Sequence, residues 1–191
     1  MSDVNSLDYG PLKGLIGHWK GDKGLDIAPT SDAAKEENPY YETIAYTAIG
    51  DVTNAESQVL SVVRYHQVVS HQSNNEVFHD ETGYWMWDPK SKIVMHSLVI
   101  PRGVCVLAGG EYKGPTSSDG KVEIEVFASL NDENWGIVQS PFMQKTARTT
   151  EFRHKLTLKD DRLSYSETTV LEIYGKTFEH TDQNELIRQP S

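Results

Sequence analysis

Imidazoles are the groups in this chain best suited to chemistry near neutral pH, because histidine changes charge there and is the commonest metal ligand. The chain carries seven of them, scattered singly, with no His-x-x-x-His pair of the kind that places two ligands on one helix face. A helix-borne zinc site is therefore not expected. With Cys105 as the sole cysteine, neither a thiolate metal cluster nor an internal disulfide can form. Two histidines stand out by context. His79 sits in Glu76-Val77-Phe78-His79-Asp80-Glu81-Thr82-Gly83-Tyr84, and His180 sits in Lys176-Thr177-Phe178-Glu179-His180-Thr181-Asp182-Gln183-Asn184 near the C-terminus.

The elements that would position these residues read as strands. Gly17-His18-Trp19-Lys20-Gly21 suggests the first strand of a closed barrel, with the indole plugging one end and the glycines letting the backbone bend. Pro11 to Ile16 suggests one helical turn capping that end, with Leu12, Leu15 and Ile16 on one face. Strand patterns follow at Tyr40 to Ile49, Gln58 to Val69, Glu76 to Trp87, Lys92 to Ile100 and Gly103 to Tyr112. Val122, Ile124 and Val126 alternate with Glu123 and Glu125, the cleanest period of two in the chain. Phe152 to Leu158 and Leu163 to Tyr174 make a hairpin, and a short closing strand lies within Lys176 to Arg188. Residues 22–39 read as a long loop, residues 1–10 as a loose start, and Gly83 as a bend or bulge. Helix patterns are nearly absent. The expected fold is all-β: a single domain over 1–191, folded as a ten-stranded antiparallel up-and-down β-barrel of the calycin (lipocalin-like) type with a short N-terminal helical turn. In such a barrel the last strand closes on the first, so His180 can point into the lumen beside the Trp19 end.

Composition narrows the partners. A net charge of −10 repels phosphates, which argues against nucleic acid and anionic membrane surfaces. The N-terminus has no basic and apolar leader pattern, and no apolar run reaches the roughly 20 residues needed to span a bilayer. A cytoplasmic protein is expected, and a homodimer remains open. Cys105, in an apolar strand, is expected to be buried. Nothing resembles a nucleophile elbow, and Leu107-Ala108-Gly109-Gly110 lacks the Lys-Ser/Thr of a phosphate loop. In Trp85-Met86-Trp87 the two indoles share a face and suit core packing. Glu81 suits local hydrogen bonding, and Arg148 and Arg153 read as surface charge rather than as grips for a ligand carboxylate.

An ordered set of motifs resembles the nitrobindin family. It comprises Leu15 to Gly21 with Gly24 and Pro29, then Pro39-Tyr40 and Tyr41-Glu42, then Phe78 to Tyr84, then Gly103 and Gly110 with Leu163-Ser164-Tyr165 and the terminal His180. These are fatty-acid-binding-protein-like barrels that bind heme b, and the resemblance runs from about Leu12 to Arg188. It implies a small-molecule ligand held as heme b, with His180 as proximal iron ligand, His79 on the distal side, and Phe78 and Trp19 among the groups enclosing the cofactor. Each ~100 Å² of ring face buried would stabilise the complex by about 2.5 kcal/mol. It further implies nitric oxide chemistry at ferric iron and, as an enzymatic activity, isomerisation of peroxynitrite to nitrate.

The chain also departs from the family pattern. Thr30 to Asn38 is longer than the family's turn, residues 131–150 look expanded, and polar Thr181-Asp182-Gln183-Asn184 follow His180 where apolar residues are usual. Asp182 could anchor His180 by a hydrogen bond or hold the strand end away from the lumen. The same lumen without iron would serve a carrier of a lipid or other apolar small molecule, and a barrel filled by its own side chains would serve neither.

Overall fold

The computed structural model describes residues 7–32, 34–55, 57–115 and 120–190, with 51–55 by backbone alone. Ten long antiparallel strands close into a barrel. They are β1 (Gly17–Pro29), β2 (Lys35–Ala55), β3 (Gln58–His71), β4 (Val77–Asp88), β5 (Ile93–Ile100), β6 (Val104–Glu111), β7 (Val122–Ser129), β9 (Ala147–Lys159), β10 (Arg162–Ile173) and β11 (Lys176–Arg188). A three-residue strand, β8 (Ile137–Gln139), and one helical turn, α1 (Pro141–Thr146), complete the set. Each long strand pairs with its chain neighbours, and β11 returns to β1 to close the barrel. The seam is at β6 and β7, which meet only at Gly109 and Phe127. There β8 takes over as the partner of β6. The expected ten-stranded barrel is the observed one.

Period-two patterning builds the interior. On β9, Phe152, His154, Leu156 and Leu158 face inward, while Arg153 and Lys155 face solvent. Trp85 and Trp87 both face inward on β4, as their spacing predicts. The same alternation corrects one expectation. Val104 and Val106 are buried, so Cys105 between them is exposed. Gly83 also differs from expectation. β4 runs through it in unbroken register with both neighbours, and the irregularity lies at Phe78, between the pairs Val69–His79 and Ser70–Val77. Glycine is needed at 83 because a Cβ would stand 1.9 Å from the Ser97 carbonyl oxygen.

The N-terminal end is plugged. A 3-10 helix (Gly10–Leu15) buries Leu12 and Leu15 completely, as the Pro11 pattern predicts. The Trp19 indole N–H donates to the Leu15 carbonyl at 2.7 Å. The Arg188 guanidinium lies 4.3 Å above the Trp19 ring and donates to the Gly14 and Ile16 carbonyls.

The expected long loop over 22–39 is instead two strands. β1 runs to Pro29 and β2 starts at Lys35, joined by a short turn in which the Thr30 N–H donates to the Ala34 carbonyl. The polar residues there suit a ribbon with one face in solvent. Within β1 a bulge between Gly21 and Gly24 shifts the register with β2 by one residue, and β11 shifts likewise between Lys20 and Leu25. A one-residue shift exchanges the two faces of a strand. Trp19 and Asp26, of opposite parity, are consequently both buried and directed inward at the two ends of β1.

Candidate functional site

At the end of the barrel remote from Trp19 lies a cavity of about 350 Å³. One wall is apolar: Leu98, Ile100, Val104, Val106 and Phe152 come from β5, β6 and β9, with Met143 of α1 beside them. The facing wall is ionisable, with Asp26 from β1, His79 and Glu81 from β4, Glu167 from β10, and His180 and Asp182 from β11. The ionisable groups meet there because β11 pairs with both β1 and β10. Asp26 stands directly opposite Asp182, and Asp182 directly opposite Glu167.

The imidazoles on this wall are committed to carboxylates. His180 Nε2 lies 2.5 Å from Asp26 Oδ1 and 3.7 Å from Asp182 Oδ2. Asn38 Nδ2 donates to the other Asp26 oxygen at 2.9 Å. His79 Nε2 lies 3.4 Å from Glu81, and His154 Nδ1 lies 2.7 Å from Glu167. Burial alone would lower the His180 pKa, but the Asp26 hydrogen bond and the Asp182 and Asp26 charges hold it above its ordinary value. Burial likewise opposes a charged His79, yet Glu81, with Glu167 and Asp182 behind it, raises its pKa to about 9. Asp26 is pushed upward by burial but held below the usual range by the His180 and Asn38 hydrogen bonds. Burial lifts Asp182 to about 7, opposed by His180 and reinforced by Glu167 and Asp26.

Beneath this wall run two buried networks. Glu42 accepts from Gln67, Tyr165 and Asn184 at 2.8, 3.0 and 2.9 Å, and the Tyr165 and Tyr40 hydroxyls meet at 2.8 Å. The Tyr65 hydroxyl is hydrogen-bonded to Glu81 and to His96 Nε2. His96 stacks on Trp85 with ring centroids 4.0 Å apart, and its Nδ1 has no protein partner.

Of the four site residues expected from sequence, Phe78, His79 and His180 line this cavity. Trp19 does not. It plugs the other end, and His180 does not lie beside it, because Trp19 pairs with Arg188 while Asp26 pairs with Asp182. Asp182 faces the lumen, but the hydrogen bond that anchors His180 is made to Asp26, with Asp182 3.7 Å from the same nitrogen. Sequence reasoning missed Asp26, Glu42, Tyr40 and Glu167 as members of the site. Asp26 lay in the segment read as loop.

A closed antiparallel barrel with one end plugged and a lined cavity at the other is a calycin-type ligand-binding barrel. The chain belongs to the family described as the THAP4-like, heme-binding beta-barrel domain, the nitrobindin family, whose model matches residues 8–188. Among solved structures it resembles the crystal structure of Rv2717c from M. tuberculosis, with a TM-score of 0.72 and 22% identity, covering 94% of this chain and 95% of that one. No curated protein sequence matches it. Among the described residues, no helix is long and apolar enough to cross a membrane.

The family description raises the question of whether this cavity's residues fit a heme. The apolar wall suits a porphyrin face. The donor set fits it less directly. Iron needs an imidazole nitrogen with a free lone pair. His180 Nε2 is taken by Asp26, which leaves Nδ1 as the ring's remaining donor. His79 Nε2 faces Glu81 at 3.4 Å, and its pKa is raised to about 9. Asp26, Glu81, Glu167 and Asp182 all open onto the same space, so a porphyrin would have to desolvate carboxylates and bring its own propionates among them.

Proposed function

We propose that this barrel is a receptor or carrier for an amphipathic organic small molecule, seated in the cavity between β1, β4, β6 and β11. The observation that carries the reading is the separation of the walls. An apolar body would displace poorly ordered water against Leu98, Val106 and Phe152, and a polar end would reach the Asp26–His180–Asp182 group. Heme b is the second reading, favoured by family membership and by the place of His180 on the cavity wall. It makes His180 the proximal ligand and His79 the distal group, with nitric oxide or peroxynitrite as the reacting species. It requires iron to meet His180 through Nδ1 while Nε2 stays on Asp26, or Nε2 to leave Asp26.

The apolar probe N-phenyl-1-naphthylamine tests the first reading. Its fluorescence should rise on a one-to-one site, and Leu98→Trp, which fills the apolar wall, should weaken binding at least tenfold while circular dichroism stays unchanged. Equal binding by wild type and Leu98→Trp, or no binding by the wild type, would overturn it.

A further inference from the structure

The ionisable wall holds four carboxylates and two imidazoles, with a third imidazole, His154, buried behind it. His79 is matched by Glu81, His154 by Glu167 and His180 by Asp26, at 3.4, 2.7 and 2.5 Å. Asp182 is the fourth carboxylate. Its ion-pair neighbour is His180 Nε2 at 3.7 Å, an atom already given to Asp26, with which Asp182 itself shares a side-chain hydrogen bond. Asp80 turns to the outer surface, where it meets His66 at 3.1 Å.

The strand register makes this surplus deliberate in its effect. Asp182 is directly opposite Asp26 on β1 and Glu167 on β10. Like charges facing each other across strands are destabilising. No arginine among the described residues offsets them from within the wall. Arg148 and Arg153 pair with Glu172 and Glu151 on exposed positions, and Arg102, which also lines the cavity, stands exposed in the turn between β5 and β6, at the edge of the apolar wall. Two aromatic rings border the same cavity. Tyr40 and Phe78 meet edge to face with centroids 6.1 Å apart, and His71 stacks on one face of Phe78 at 4.0 Å. Carboxylate and aromatic faces together are the chemistry that holds an organic cation.

We infer that the cavity selects an amphiphile with an organic ammonium head, taken by Asp182 with Tyr40 and Phe78 beside it, and rejects the carboxylate of equal chain length. This rests on the reading of the cavity as an amphiphile site. The ammonium would supply the positive charge that the facing carboxylates lack, in a site where a charge-assisted hydrogen bond is shielded from water. A fatty-acid or propionate carboxylate would instead add a fifth negative group.

Calorimetric titration with octylamine, octanol and octanoate at pH 8 tests this, since all three share one apolar body. Octylamine should bind at least tenfold more tightly than either of the others. Asp182→Asn, nearly isosteric, should bring octylamine to the level of octanol, with an unchanged circular dichroism spectrum reporting an intact fold. Octanol or octanoate binding as tightly as octylamine would overturn the inference while leaving the amphiphile site standing. So would an octylamine preference that survives Asp182→Asn. If none of the three binds, the amphiphile reading itself falls and takes the inference with it.

Discussion

Replacing Trp19 with alanine should lower the unfolding free energy by about 4 kcal/mol, the range found for buried tryptophan truncations. Urea denaturation measures it. The indole is only 1% exposed and packs with Leu12 and Leu15 of the 3-10 helix. Its loss also strands the Leu15 carbonyl and removes the ring beneath Arg188. That guanidinium bonds to the Gly14 and Ile16 carbonyls, so the whole plug depends on one side chain. Amphiphile binding at the other end of β1 should change less than threefold in this variant under conditions where it remains folded. A large loss of binding would show that Trp19 belongs to the ligand site after all.

The second large effect is at Glu42. Its carboxylate is 1% exposed and accepts from Gln67, Tyr165 and Asn184. Glu42→Ala leaves these donors without their partner and opens a cavity, a loss of about 3 kcal/mol at pH 5. The pH dependence has a definite sign. Burial lifts the Glu42 pKa from 4.5 to about 7, against the three hydrogen bonds that favour ionisation. Between those values the folded protein binds the proton and the unfolded chain does not, so wild-type stability falls as pH rises through this window. A shift of that size corresponds to about 3 kcal/mol. Asp182, raised from 3.8 to about 7, acts in the same direction. The destabilisation by Glu42→Ala should therefore be larger at pH 5 than at pH 8. The tyrosines allow the protonated form to be accommodated. The Glu42 hydroxyl can donate to Tyr165, Tyr165 to Tyr40, and Tyr40 to the Gln183 carbonyl, 3.2 Å away. An equal penalty at both pH values would contradict the raised Glu42 pKa.

Much of the barrel is legible in the chain because period-two patterning and turn residues are local signals. The Asp88-Pro89-Lys90-Ser91 turn and the Lys159 to Arg162 turn fall where they are expected, and so does the N-terminal helical turn. Local signals fail where one residue changes the register. The β1 bulge cannot be placed from Gly21 and Gly24 alone, yet it turns Asp26 inward. Continuing the Trp19–Arg188 pairing without it would set Asp26 against Thr181 and point its carboxylate away from the lumen. Asp26 is also the group that hydrogen-bonds the histidine expected as iron ligand, so the same bulge sets that histidine's partner. The α1 turn had a readable signal in Ser140 followed by Pro141, and the Ser140 hydroxyl accepts from the Met143 N–H. Its consequence, a methionine on the cavity rim, is a matter of tertiary placement.

In the proposed reading, Asp26 holds His180 and the amphiphile site forms without an iron–imidazole bond. Titrating the apo-protein with hemin and recording the Soret region, for wild type and His180→Ala side by side, tests it most directly. The two titrations should superimpose, with no band that depends on residue 180. A Soret band that wild type develops and His180→Ala lacks would contradict the account and restore the iron–imidazole bond as the purpose of this cavity.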